Sequence, residues 1–266
     1  MTDFLSRPRR RRQQGLTLVE LLVGLALAGV VTSALLSLNI STSQTSSLLN
    51  SRNDLVAETQ LAQNYVAAKL REAAYVFPTG TALTLSATNS FSTQKPGAGS
   101  STWTVGTDPI VAVILPPEES GSCVTGGPQF CYTFYAYYPV QRGTVTANAT
   151  GAAQPGPDAR NDSSAWLLME YRRPYASLAL GTVLGPAQAT GISGEDGRIV
   201  MDYLRPPATS ESALFSQVDG QQQGVSRLTM RLASARLGSR ETRVPQTGRY
   251  EVAVYPRNVG KPVSPN

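Results

Sequence analysis

The feature that most limits what this chain can fold into is the apolar run at residues 16–38, LTLVELLVGLALAGVVTSALLSL, which holds a single charge, Glu20. Its 23 residues span roughly 34 Å as a helix at about 1.5 Å per residue, enough to cross the hydrocarbon core of a bilayer. Arg7, Arg9, Arg10, Arg11 and Arg12 precede the run, and the next basic residue is Arg52. That asymmetry puts the N-terminus in the cytoplasm and residues 39 onward outside. Glu20 separates the run from its commonest lookalikes. A secretory signal has an apolar region of about 7 to 15 residues without an acid, and a plain anchor has no use for a carboxylate that opposes insertion. Snorkelling to the headgroups is the bland account of Glu20. The functional account is that it serves a partner, the default reading of an ionisable group in such a segment.

The order Gly15-Leu16-Thr17-Leu18-Val19-Glu20 behind a basic leader resembles the class III signal of type IV pilins and pseudopilins. That signal joins a basic leader, a junction glycine, an apolar run and a glutamate at the fifth residue after the glycine. Leu16 stands where the family most often has phenylalanine. The resemblance implies cleavage by prepilin peptidase between Gly15 and Leu16 and methylation of the new amino group on Leu16. It also implies incorporation into a filament of staggered helices, with other pilin or pseudopilin subunits and an inner-membrane assembly platform as partners. For Glu20 it implies that the carboxylate of an incoming subunit meets the terminal amine of its neighbour. The charge geometry agrees, because a Leu16 amine lies four residues before Glu20 on the same helical face. Gly24, Ala28 and Thr32, with Gly29 and Ser33 beside them, form a stripe of small residues that lets helices approach closely.

Composition narrows the rest. The chain has no histidine, which removes the usual general base and the commonest zinc and haem ligand. An enzyme is therefore the class least expected, and no cofactor or metal is expected. Of the formal net charge of +5, residues 1–15 contribute +4 and the remaining residues only +1. Cys123 and Cys131 flank Val124-Thr-Gly-Gly-Pro128, which suits a disulfide in an oxidising compartment and agrees with residues 39 onward lying outside. Two buried free thiols are the alternative.

No proline occurs between Pro8 and Pro78, and Leu48, Leu55, Ala62, Val66, Leu70, Ala73 and Phe77 trace one helical face. One helix over residues 16–77 is predicted, ended by Pro78-Thr-Gly80. Strands are predicted at 109–115, 131–140, 165–171, 198–204, 225–237 and 249–255, each β-branched or aromatic and bounded by turn residues. Intervals 79–108, 141–164 and 179–197 read as long loops. The fold class is α+β, a long N-terminal helix packed on an antiparallel β domain with long loops. The domain plan is a cleaved leader at 1–15, a membrane or filament-core helix at 16–38, its amphipathic continuation at 39–77 and an extracytoplasmic β-rich domain at 78–266.

The closing pattern, VSRLTMRL followed by a strand running into Val254-Tyr-Pro-Arg-Asn258, resembles the C-terminus of PilW-type and J-type minor pilins and pseudopilins, whose last strand often ends in an Arg-Asn pair. Together the two resemblances imply a minor type IV pilin, a membrane-anchored structural subunit for pilus assembly that serves twitching motility or DNA uptake. The alternatives are a J-type minor pseudopilin of a type II secretion system and a DNA-binding module of the competence machinery. The last rests on Arg227, Arg231 and Arg236 as phosphate contacts; their plain reading is a solvated strand face. Tyr132, Phe134 and Tyr138 share one face of their strand and Tyr135 and Tyr137 the other, which suits a strand buried on both sides or an exposed aromatic patch. Gly194-Glu-Asp-Gly197 with Asp202 offers oxygen ligands for calcium but fits no EF-hand spacing, and reads better as a polar turn.

Overall fold

The computed structural model describes residues 17–117, 132–175, 192–193, 195–219 and 225–259. The chain divides into two units at Asn50/Ser51.

In the first unit the chain is helical from Leu18, the start of α1 (Leu18–Glu72). Leu18, Val19, Leu21, Leu22, Val23 and the apolar residues that follow them are exposed, as for a helix whose partner is lipid or another helix. Hydroxyl residues in this stretch turn back onto the backbone: Thr32 Oγ1 donates to Ala28 O at 2.7 Å and Thr45 Oγ1 to Ser41 O at 2.9 Å. That local bond satisfies the hydroxyl without a solvent partner.

In the second unit the remainder of α1 buries Leu55, Thr59, Ala62, Gln63, Val66, Ala67 and Leu70, a stripe at three- and four-residue spacing. It packs on a seven-stranded sheet of order β1-β4-β5-β6-β8-β11-β12. These strands are β1 (Tyr75–Val76), β4 (Val111–Leu115), β5 (Thr133–Gln141), β6 (Trp166–Pro174), β8 (Arg198–Leu204), β11 (Ser234–Leu237) and β12 (Glu241–Val244), and every pairing in the sheet is antiparallel. Alternation along β5 sends Tyr135 and Tyr137 to the core under α1, with Val111, Val113 and Leu168. Phe134, Ala136 and Tyr138 face a second core with Leu83, Leu85, Trp103 and Met169. The strand is thus buried on both sides, and no exposed patch forms there.

The structure departs from the sequence reading in four places. First, α1 ends at Glu72 rather than near residue 77, because Tyr75 and Val76 pair with Ile114 and Val113 of β4. An aromatic and a β-branched residue beside an otherwise open strand edge favour the sheet over another helical turn. Second, two of the intervals read as loops contain strand: 79–108 holds β2 (Ala82–Ser86) and β3 (Thr102–Thr104), paired antiparallel, and 179–197 holds β7 (Ile192–Ser193), parallel to β2. Third, interval 141–164 holds a short helix, α2 (Arg142–Asn148). Fourth, the strand expected at 225–237 is two strands divided at Ala233. β10 (Val225–Leu232) pairs with β9 (Phe215–Asp219) and β13 (Tyr250–Val254) in a separate three-stranded sheet, while β11 rejoins the large one.

Candidate processing and assembly site

Gly15 and Leu16 lie outside the described residues, which begin with Thr17. Thr17 and Glu20 close the start of α1 on each other. The Glu20 amide donates to Thr17 Oγ1 at 3.3 Å, while the Thr17 amide donates to Glu20 Oε2 at 3.0 Å. The Thr17 hydroxyl reaches the same Oε2 at 3.0 Å. This is the reciprocal capping box that Thr-x-x-Glu makes at a helix start, and it supplies two otherwise orphaned donors with acceptors. The pattern Thr17-Leu-Val-Glu20 is its sequence signature. Glu20 therefore has a local structural duty in addition to any intermolecular one.

Further along α1, in the second unit, three polar anchors tie the helix to the sheet. Tyr65 and Tyr137 both donate to Glu170 Oε2 at 2.8 Å, and Glu170 is 4 % exposed. Burial first, then the Glu170 charge, drives the Tyr137 phenol well above its ordinary value. Thr59 and Ser234 share a buried hydroxyl–hydroxyl bond. The Asp202 amide donates to Glu58 Oε1 at 2.5 Å, and burial raises the Glu58 carboxyl above its usual range. Beside this anchor Arg142, 1 % exposed, grips Asp202 through Nε at 2.9 Å and Nη2 at 3.1 Å, and also binds Asp162. The Tyr203 ring sits between Arg142 and Arg236, each guanidinium 4.8 Å from its centroid, with φ at 50°. Glu170, a lone carboxylate in the apolar run AWLLMEY, is the one sequence mark of these anchors.

The three arginines considered for DNA are not placed alike. Arg227 on β10 is exposed. Arg231, on the same strand face, bonds Glu251 at 2.8 Å and Ser216 at 2.8 Å. Arg236, on β11, leans on Tyr203 and lies 3.9 Å from Asp158. Asp202 is taken by Arg142, and both Asp196 oxygens accept from Asn89; among the described residues no cluster of three or more acidic, histidine or cysteine side chains is placed to hold a metal ion. Cys123 and Cys131 lie outside the described residues.

An exposed apolar helix long enough to cross a membrane, closed at its start by its own carboxylate and continuing onto an antiparallel sheet, defines the class: an α+β protein with a long N-terminal helix. Residues 10–36 match the family model described as the prokaryotic N-terminal methylation motif. The chain thus carries a prepilin-type N-terminal signal, consistent with a type IV pilin-like protein, and the motif with its apolar helix points to anchoring in the inner membrane. The same motif points to prepilin peptidase and other pilin subunits as partners in general terms. No curated protein and no solved structure matches the chain.

Proposed function

We propose that this chain is a minor type IV pilin, a structural subunit that helps assemble a pilus and is not an enzyme. The observation that carries the reading is the methylation motif at residues 10–36, which ends on an exposed apolar helix with Glu20 at its first turn. The arginines of the leader favour a cytoplasmic N-terminus and an extracytoplasmic sheet domain. The size of that domain and its Arg257-Asn258 ending support a minor subunit, and a J-type pseudopilin shares both features. The role proposed for Glu20 is to draw an incoming subunit onto the Leu16 amine of its neighbour.

The capping box supplies a clean test of that role. Glutamine completes the box as glutamate does, so Glu20→Gln keeps the helix start while removing the charge. Membrane insertion and cleavage after Gly15 should persist in this variant, whereas its recovery with sheared filaments or with partner minor pilins should fall to the level of Glu20→Ala. Recovery of the Gln variant at the parent level would leave Glu20 as a helix cap and end the proposed assembly mechanism.

A further inference from the structure

The C-terminal end of α1 has no cap in its own neighbourhood. The last carbonyls of a helix have no partner within it, and the usual remedy is a glycine or asparagine just past the end. Here Ala73 and Ala74 follow Glu72, and Ala74 turns at once to donate to Ile114 O at 2.8 Å. Leu70 O is met locally by the Ala73 amide at 3.4 Å. The carbonyls of Arg71 and Glu72 are met from the far end of the chain. The Arg257 amide donates to Arg71 O at 2.9 Å, and Asn258 Nδ2 donates to Glu72 O at 3.0 Å, across 186 residues of sequence. Val259 then packs against the core that also receives Ala62, Val66 and Leu70. The polar anchors at Glu58, Thr59 and Tyr65 lie before the last turn of α1, and the apolar contacts beneath that turn are non-directional and do not fix where the helix stops. Two hydrogen bonds to two particular carbonyls do.

We infer that Arg257–Val259 form a strap that caps α1 and locks the register of its C-terminal turns on the large sheet, so that the tail governs how readily the helix end lifts from the domain. The inference holds whether or not the chain enters a filament. It assigns a physical duty to the Arg-Asn pair, which in the sequence is only a pattern.

Hydrogen exchange on the full chain in detergent micelles tests it. The comparison is between the parent, Asn258→Ala, Arg257→Pro, which deletes the donating amide, and a chain terminated after Pro256. In all three variants amides of residues 66–74 should exchange roughly tenfold faster, while those of Thr133–Gln141 keep their protection. Unchanged exchange at 66–74 would overturn the strap. Equal loss at 66–74 and 133–141 would also overturn it, because the tail would then be a general contributor to stability. Loosening confined to the terminated chain would do the same, since the effect would come from Val259 packing and not from the caps.

Discussion

Glu170 and Glu58 both sit where α1 meets the sheet, and they carry opposite liabilities. Glu170 is buried and depends on two phenolic donors. Tyr137→Phe removes one of them where water has no access, and should cost about 1–3 kcal/mol in urea denaturation. Tyr65→Phe should cost less, since Tyr65 is 40 % exposed and water can take its place. Glu58 is the reverse case, a carboxylate that burial disfavours when charged. Its carboxyl is raised from 4.5 by burial, with the Asp202 and Asp54 charges adding to the rise and the Asp202 amide bond opposing it. The folded chain then holds this proton more tightly than the unfolded chain does. The stability that results is complete below 4.5 and is lost as pH climbs through the raised value. Glu58→Gln removes that loss, so its melting temperature should gain on the parent's between pH ~4 and pH ~8. A constant difference over that interval would refute the assignment.

At the scale of elements, α2 shows how a helix of seven residues persists in a stretch rich in small residues. Its first residue, Arg142, spans from the helix to Asp202 on β8 and to Asp162, and also meets the carbonyls of Pro155 and Gly156. Arg142→Met should cost about 3–5 kcal/mol by chemical denaturation, because two carboxylates are left without their cation. This dependence on distant partners also explains what the sequence made legible. β8 was readable to the residue, and β4, β5 and β6 nearly so, because their apolar runs are long enough to declare themselves. The strands ALTLS, TWT, FSQVD and ETRV were not, being short and polar and defined by the strands they pair with. Ala233 gave no sign that the chain changes sheets there. Of the candidate site, the bond between Thr17 and Glu20 is legible in the spacing Thr17-Leu-Val-Glu20. The duty of Asn258 was hidden, since it depends on a carbonyl at the opposite end of the fold.

For the molecule as a whole, the proposed processing would redistribute charge. Residues 1–15 carry +4 of the +5, and their loss would leave a nearly neutral chain. Material with the leader should focus near the sequence pI of 9.4, and processed material at a clearly lower value, with a mass that begins at Leu16. A bulky replacement of Gly15 should hold the chain at the higher value. If the parent focuses there too, the leader is retained and the processing scheme fails.

The strap also decides where such a molecule can be labelled. A fluorescent protein or affinity tag placed directly behind Val259, in place of residues 260–266, would hang from the residues that cap α1, so its weight would act on the helix end. The turn closed by the Lys95 amide on Ser100 O at 2.8 Å is a better handle. Gly97 and Gly99 adopt positive φ there, and nothing lies within 4 Å of where a side chain on either would project. An epitope inserted at Ala98 leaves the tail, and with it the helix end, untouched.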